Sequence, residues 1–131
     1  MADPYGITPD EGETYIAEQL YVNGLLKIGL WAGSWDNEED VVYSEATGRF
    51  TKLTAIPGFE EQLMNNWSVA TGVGTHTKVY FTAGPGVSNQ AIDGWYIASP
   101  DNRLVHVQRR ETTSYRSSGQ TFAVDPSGEV A

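Results

Sequence analysis

The chain has 131 residues, 17 acidic against 8 basic, a formal net charge of −9 at neutral pH, and no cysteine. Disulfides, thiol catalysis and thiolate metal ligation are therefore excluded, and nucleic-acid binding is not expected because an acidic surface repels phosphate. The length suits one domain, expected to span residues 1–131, and is too short for two good cores.

The charge is unevenly distributed. Residues 1–61 hold 12 acids and 3 bases, whereas residues 62–131 hold 5 of each. Residues 1–8 read as an N-terminal extension. The opening MADPYGITPDEGETY has neither a basic region nor an apolar run, and no segment approaches the ~20 apolar residues of a membrane helix. The expectation is a soluble protein made in a cytoplasm, without membrane association.

Thr8-Pro9-Asp10-Glu11 is a helix start: a Thr cap, Pro at the first helical position, and Glu three residues after the cap. This predicts a helix over 9–23, with Tyr15, Ile16, Gln19, Leu20 and Asn23 along a narrow stripe and Gly24 placed to end it. Beyond it the chain reads as strands and turns. Strands are expected near 26–32, 40–43, 49–55, 66–70, 76–82, 92–98, 103–110 and 120–124, with 56–65 a loop holding at most one helical turn. Eight short strands with turn residues between them predict a mainly β domain, a single β-sandwich of jelly-roll type carrying one N-terminal helix.

The stretch 92–110, IDGWYIASPDNRLVHVQRR, is a hairpin signal, since Pro100 pre-sets a turn dihedral and Asp101 and Asn102 can bond their own backbone. With Pro100 and Asp101 at the corner, Ile97 pairs with Leu104, Tyr96 with Val105, Trp95 with His106 and Gly94 with Val107. Trp95, Ile97 and Leu104 then share one face, and Tyr96, Val105 and Val107 the other. A two-layer sandwich buries only one such face, so a second chain is expected over the remainder, in a three-fold assembly. The interface candidates are Trp95, Ile97, Leu104 and His106, with Arg103, Arg109 and Arg110 as basic groups that could meet the acidic half of a neighbour.

No catalytic, cofactor or metal residue stands out. His76 and His106 lack metal-ligand spacing. Asp36-Asn37-Glu38-Glu39-Asp40 lacks the Gly and the final spaced Glu of a calcium loop and reads as a solvated turn. Glu60 and Glu61, or Glu11 and Glu13, are sequence neighbours rather than carboxylates facing across a cleft. Thr71-Gly72-Val73-Gly74-Thr75 joins two strands and opens no helix, so it is read as a turn, not a phosphate cradle. Four tryptophans, Trp31, Trp35, Trp67 and Trp95, are a heavy aromatic load suited to a core, a subunit contact or a sugar-stacking site.

The C-terminal order Gly94-Trp95-Tyr96-Ile97, the turn Ser99 to Asn102, a Thr-rich link, and Gly119-Gln120-Thr121-Phe122-Ala123-Val124 resembles that of a family of small tailed-phage virion proteins, often labelled tail-fibre proteins. The N-terminal layout agrees, with a helix, the strand LLKIGLWAG, an acidic loop and an aromatic-Thr strand at Phe50; Gln120 departs from the Asp of that pattern. The resemblance implies a β-sandwich working as a virion part, without catalytic residues. Small domains of this kind are also similar to head-decoration, or cement, proteins that sit on the capsid shell as trimers. The expected function is capsid decoration, with the major capsid protein or other virion proteins as partners and the virion as location. The alternative is a tail-fibre or baseplate component that binds a receptor or carbohydrate.

Overall fold

A computed structural model describes residues 6–7, 25–45, 48–64, 67–70 and 73–126. Among them the chain is mainly β, its sheets are open, and no helix occurs. The helix expected over 9–23 lies outside the described residues. The strands are β1 (Gly6–Ile7), β2 (Lys27–Ala32), β3 (Thr51–Lys52), β4 (Gln62–Leu63), β5 (Trp67–Ala70), β6 (Val73–His76), β7 (Val79–Thr82), β8 (Gln90–Ala98), β9 (Leu104–Arg116) and β10 (Thr121–Val124). The main sheet runs β1-β9-β8-β2-β3, with β4 also paired to β2; β10 pairs β7, and β5 pairs β6. Every pairing is antiparallel.

β2 is apolar on both faces because it lies inside the main sheet and both of its faces are buried. Leu26, Ile28 and Leu30 join Ile92, Ile97 and Val105 on one side, covered by Val79 and Phe81 of β7 and Phe122 and Val124 of β10. Trp31 joins Tyr96, Ala98, Leu104 and Val107 on the other, covered by Trp35, Val41 and Phe50. Two apolar clusters thus flank one sheet, where the length led us to expect one core. On the second side the aromatic rings lie over glycines opposite them. Gly29 pairs with Tyr96 and Trp31 with Gly94, and a Cβ at Gly29 would sit 2.8 Å from Tyr96 Cε2, one at Gly94 2.6 Å from Trp31 Nε1.

The β8–β9 hairpin forms, with a different register. Ser99 N–H donates to Arg103 O (2.9 Å) and Asn102 N–H to Ser99 O (3.0 Å), so the loop holds three residues, Pro100, Asp101 and Asn102, the last at φ 65°. Ala98 pairs with Leu104 and Ile97 with His106, which leaves Val105 as a bulge; Tyr96 then pairs with Val107 and Trp95 with Gln108. One extra turn residue and one bulge residue shift the register by two, and an even shift restores the facing. Only Leu104 and Val105 exchange sides relative to expectation.

Other strands differ in extent. Residues 40–43 form no strand, because Arg49 gathers Glu38, Asp40 and Glu45 (3.6, 2.9 and 2.5 Å) and holds the chain in turns, with Val41 buried. Of 49–55 only β3 is extended. Ile56 N–H donates to Leu53 O and Phe59 N–H to Ile56 O, two successive turns that carry Phe59 into the core without a helical turn. The strand expected at 76–82 divides into β6 and β7, and Val73 to Thr75, read as part of a turn, belong to β6.

Candidate functional site

The structure brings together a polar cluster that the sequence reading did not identify. Glu61, in the segment leading to β4, accepts hydrogen bonds at Oε2 from Tyr96 of β8 (2.5 Å) and from Tyr43 (2.7 Å). Its Oε1 lies 3.3 Å from Nζ of Lys27 on β2. The Lys27 ammonium also donates to Asn102 Oδ1 in the hairpin loop (2.5 Å). On β3, Lys52 donates to the Tyr43 carbonyl and stands over the Tyr43 ring, 4.3 Å from its centroid; Lys27 is 5.1 Å from the same centroid. One carboxylate thereby ties four stretches of chain, the 33–50 connection, β2, β8 and the 53–64 strap.

The electrostatics follow from this geometry. Burial raises the Glu61 carboxyl, but the two phenols and Lys27 outweigh it and hold the group below the usual carboxylate range. Burial, reinforced by the adjacent carboxylate, pushes the Tyr96 and Tyr43 phenols far above the ordinary tyrosine value. Burial lowers Lys52, with Lys27 adding to the effect and Glu61 opposing it. At neutral pH the cluster therefore holds an ionised carboxylate with both oxygens occupied and two neutral phenols. Chemically it is a fastening. Beside it lies an open cleft of about 430 Å³ lined by Leu25, Lys27, Glu61, Leu63 and Pro100, with Leu25 and Leu63 half exposed at its rim.

The expected interface residues do not form one surface. Ile97 and Leu104 are fully buried in opposite clusters. Trp95 is half-buried, its ring 5.3 Å from that of His106, and His106 is itself buried with Nε2 3.2 Å from Gln108 Oε1. Arg109 donates to the carbonyls of Trp35 (2.7 Å) and Gly33 (3.4 Å), which makes it part of the fold. Arg103 lies 3.1 Å from Asp101, and Arg110 is exposed, 5.1 Å from the Phe122 centroid. Over residues 96–107 both hairpin faces pack within the chain, so the apolar stretch expected to be bare is covered there, whereas residues 110–113 and Tyr115 are exposed.

In the sequence Glu61 is only one of two neighbouring acids. The overlooked signal was Lys27: a cation inside the apolar run LLKIGLWAG needs a carboxylate partner when that run is buried. Among the described residues no group of three His, Asp or Glu side chains could hold a metal ion. Comparison of the chain with family models, with curated proteins and with solved structures finds no match.

Proposed function

We propose that the chain is a non-enzymatic virion structural protein of a tailed phage. In this reading it is a jelly-roll-like β-sandwich with an N-terminal helix that binds and stabilises the capsid shell as a head-decoration protein, in a trimer. The observation that carries the reading is the distribution of outward chemistry. The Glu61 cluster is occupied by its own neighbours, while the acidic 36–40 turn lies on one side of the main sheet and Arg110 and Arg116, over Phe122, on the other. Such a platform suits docking between protein surfaces more than turnover of a small molecule. The order of C-terminal motifs resembling phage virion proteins supports the same assignment.

A tail-fibre or baseplate role with receptor or carbohydrate binding is the second reading, and the cleft between Leu25, Leu63 and Pro100 favours it. Copy number separates the two. Quantitative mass spectrometry of purified particles, together with binding of the purified chain to empty shells, should give hundreds of copies per particle and saturable shell binding. A handful of copies supports the tail reading, and absence from the particle overturns both.

A further inference from the structure

The four arginines of β9 and its preceding turn differ in how the fold holds them. Arg109 is bound to backbone carbonyls and Arg103 to Asp101. Arg110 and Arg116 instead lean over Phe122, their guanidinium carbons 5.1 and 5.2 Å from the ring centroid. Six residues apart on an extended strand, their Cα atoms are separated by roughly 20 Å, yet both side chains reach one ring. Arg116 keeps Nε on Thr121 O (2.9 Å) and Nη1 on Tyr115 O (2.9 Å). Neither arginine has an ion-pair partner among the described residues. A ring beneath two guanidinium groups holds them with little loss of hydration and leaves the exposed edge of Arg110, and Nη2 of Arg116, for an anion.

The complementary charge lies across the sheet. Phe122 belongs to the cluster with Ile97 and Val105, whereas Trp35 and Val41, which bracket the 36–40 turn, belong to the cluster with Trp31 and Tyr96. That turn carries Asp36, Glu38, Glu39 and Asp40 and no base. Arg49 engages Glu38 and Asp40, whose side chains remain 43% and 79% exposed.

We propose that Arg110 and Arg116, seated on Phe122, form a carboxylate-binding surface that receives the acidic 36–40 turn of a second copy of this chain. The inference rests on the assembly reading above and names its contact. Because the two patches differ and occupy opposite faces, the contact is head-to-tail rather than isologous, and it propagates from copy to copy until a ring closes. Exposed charges are screened by salt, so the contact weakens as ionic strength rises.

The test is sedimentation equilibrium of the full chain at low and high salt. Three variants accompany it: Arg110→Glu, the pair Asp36→Lys with Glu39→Lys, and a chain carrying all three changes. Each set alone should weaken self-association about tenfold or more, and the combined chain should recover most of that loss. All these positions are exposed, and melting temperatures close to the wild type verify that the variants fold. Wild-type self-association that Arg110→Glu leaves unchanged, or that the combined chain fails to recover, overturns this inference. Shell binding by a wild-type chain that stays monomeric also overturns it while leaving the virion role standing. Charge-dependent self-association without shell binding supports the contact and removes the head-decoration role.

Discussion

At Glu61 burial favours the protonated acid, while Tyr96, Tyr43 and Lys27 favour the carboxylate, and the second set prevails. The sign for stability follows directly. A carboxyl with a depressed folded-state pKa contributes fully above its unfolded value and loses that contribution as pH falls through the folded one. Glu61→Gln should therefore cost about 1–2 kcal/mol at pH 7, since it leaves Lys27 and Lys52 without their shared anion. The gap between wild type and variant should narrow as pH drops below about 4.5, as read by urea unfolding from pH 7 to pH 3. A gap independent of pH would show that the carboxylate charge is not what holds the strap. Gly29 makes the reciprocal case, because Gly29→Ala drives a methyl group into the Tyr96 ring and displaces the hydroxyl that Glu61 accepts. About 1–3 kcal/mol of destabilisation is expected, and the loss should shrink in a Glu61→Gln background, since both changes break the same hydrogen bond.

At the scale of elements, the β8–β9 hairpin shows how local and long-range rules divide the work. Its position was legible from Ser99-Pro100-Asp101-Asn102 and the flanking apolar runs. Its register was not, because Asn102 enters the left-handed region at φ 65° and Val105 bulges. Asn tolerates that conformation better than most residues. Replacing Asn102 by Ala should therefore cost about 1–2 kcal/mol, through backbone strain and the lost contact with Lys27. Asn102→Gly should cost less, since glycine removes the strain and only the Lys27 contact is missing; denaturant midpoints compare the two. The strand expected at 40–43 failed for an electrostatic reason. Three carboxylates converging on Arg49 curl the segment, and the alternation of neighbouring apolar residues carries no information about that.

For the whole molecule, the main feature is one sheet buried on both sides by a single chain. Phe50 and Phe122 sit in separate clusters across it, both buried. Phe50→Leu and Phe122→Leu are each expected to cost about 1 kcal/mol, and the double variant should be additive to within about 0.5 kcal/mol because the rings share no contact surface. Strong coupling in that cycle would mean that the two sides deform together through the sheet. The free backbone along β7 and β10 is partly closed by side chains: Gln62 Nε2 donates to Tyr80 O (2.8 Å), and Arg116 Nε to Thr121 O (2.9 Å). Capped edges disfavour strand addition.

The sequence alone determined the β-rich class, the location of the longest hairpin, the solvated acidic turn and the segregation of charge, because turn chemistry, short-range alternation and net charge are local properties. Tertiary structure decided that both sides of the inner hairpin are covered, where Leu104 and Val105 point, and that Glu61 meets Lys27, Tyr43 and Tyr96. Those outcomes depend on chain segments tens of residues apart arriving at one place. Burial then assigns a neighbouring pair of acids two different roles, leaving Glu60 exposed and making Glu61 the shared acceptor of the cluster.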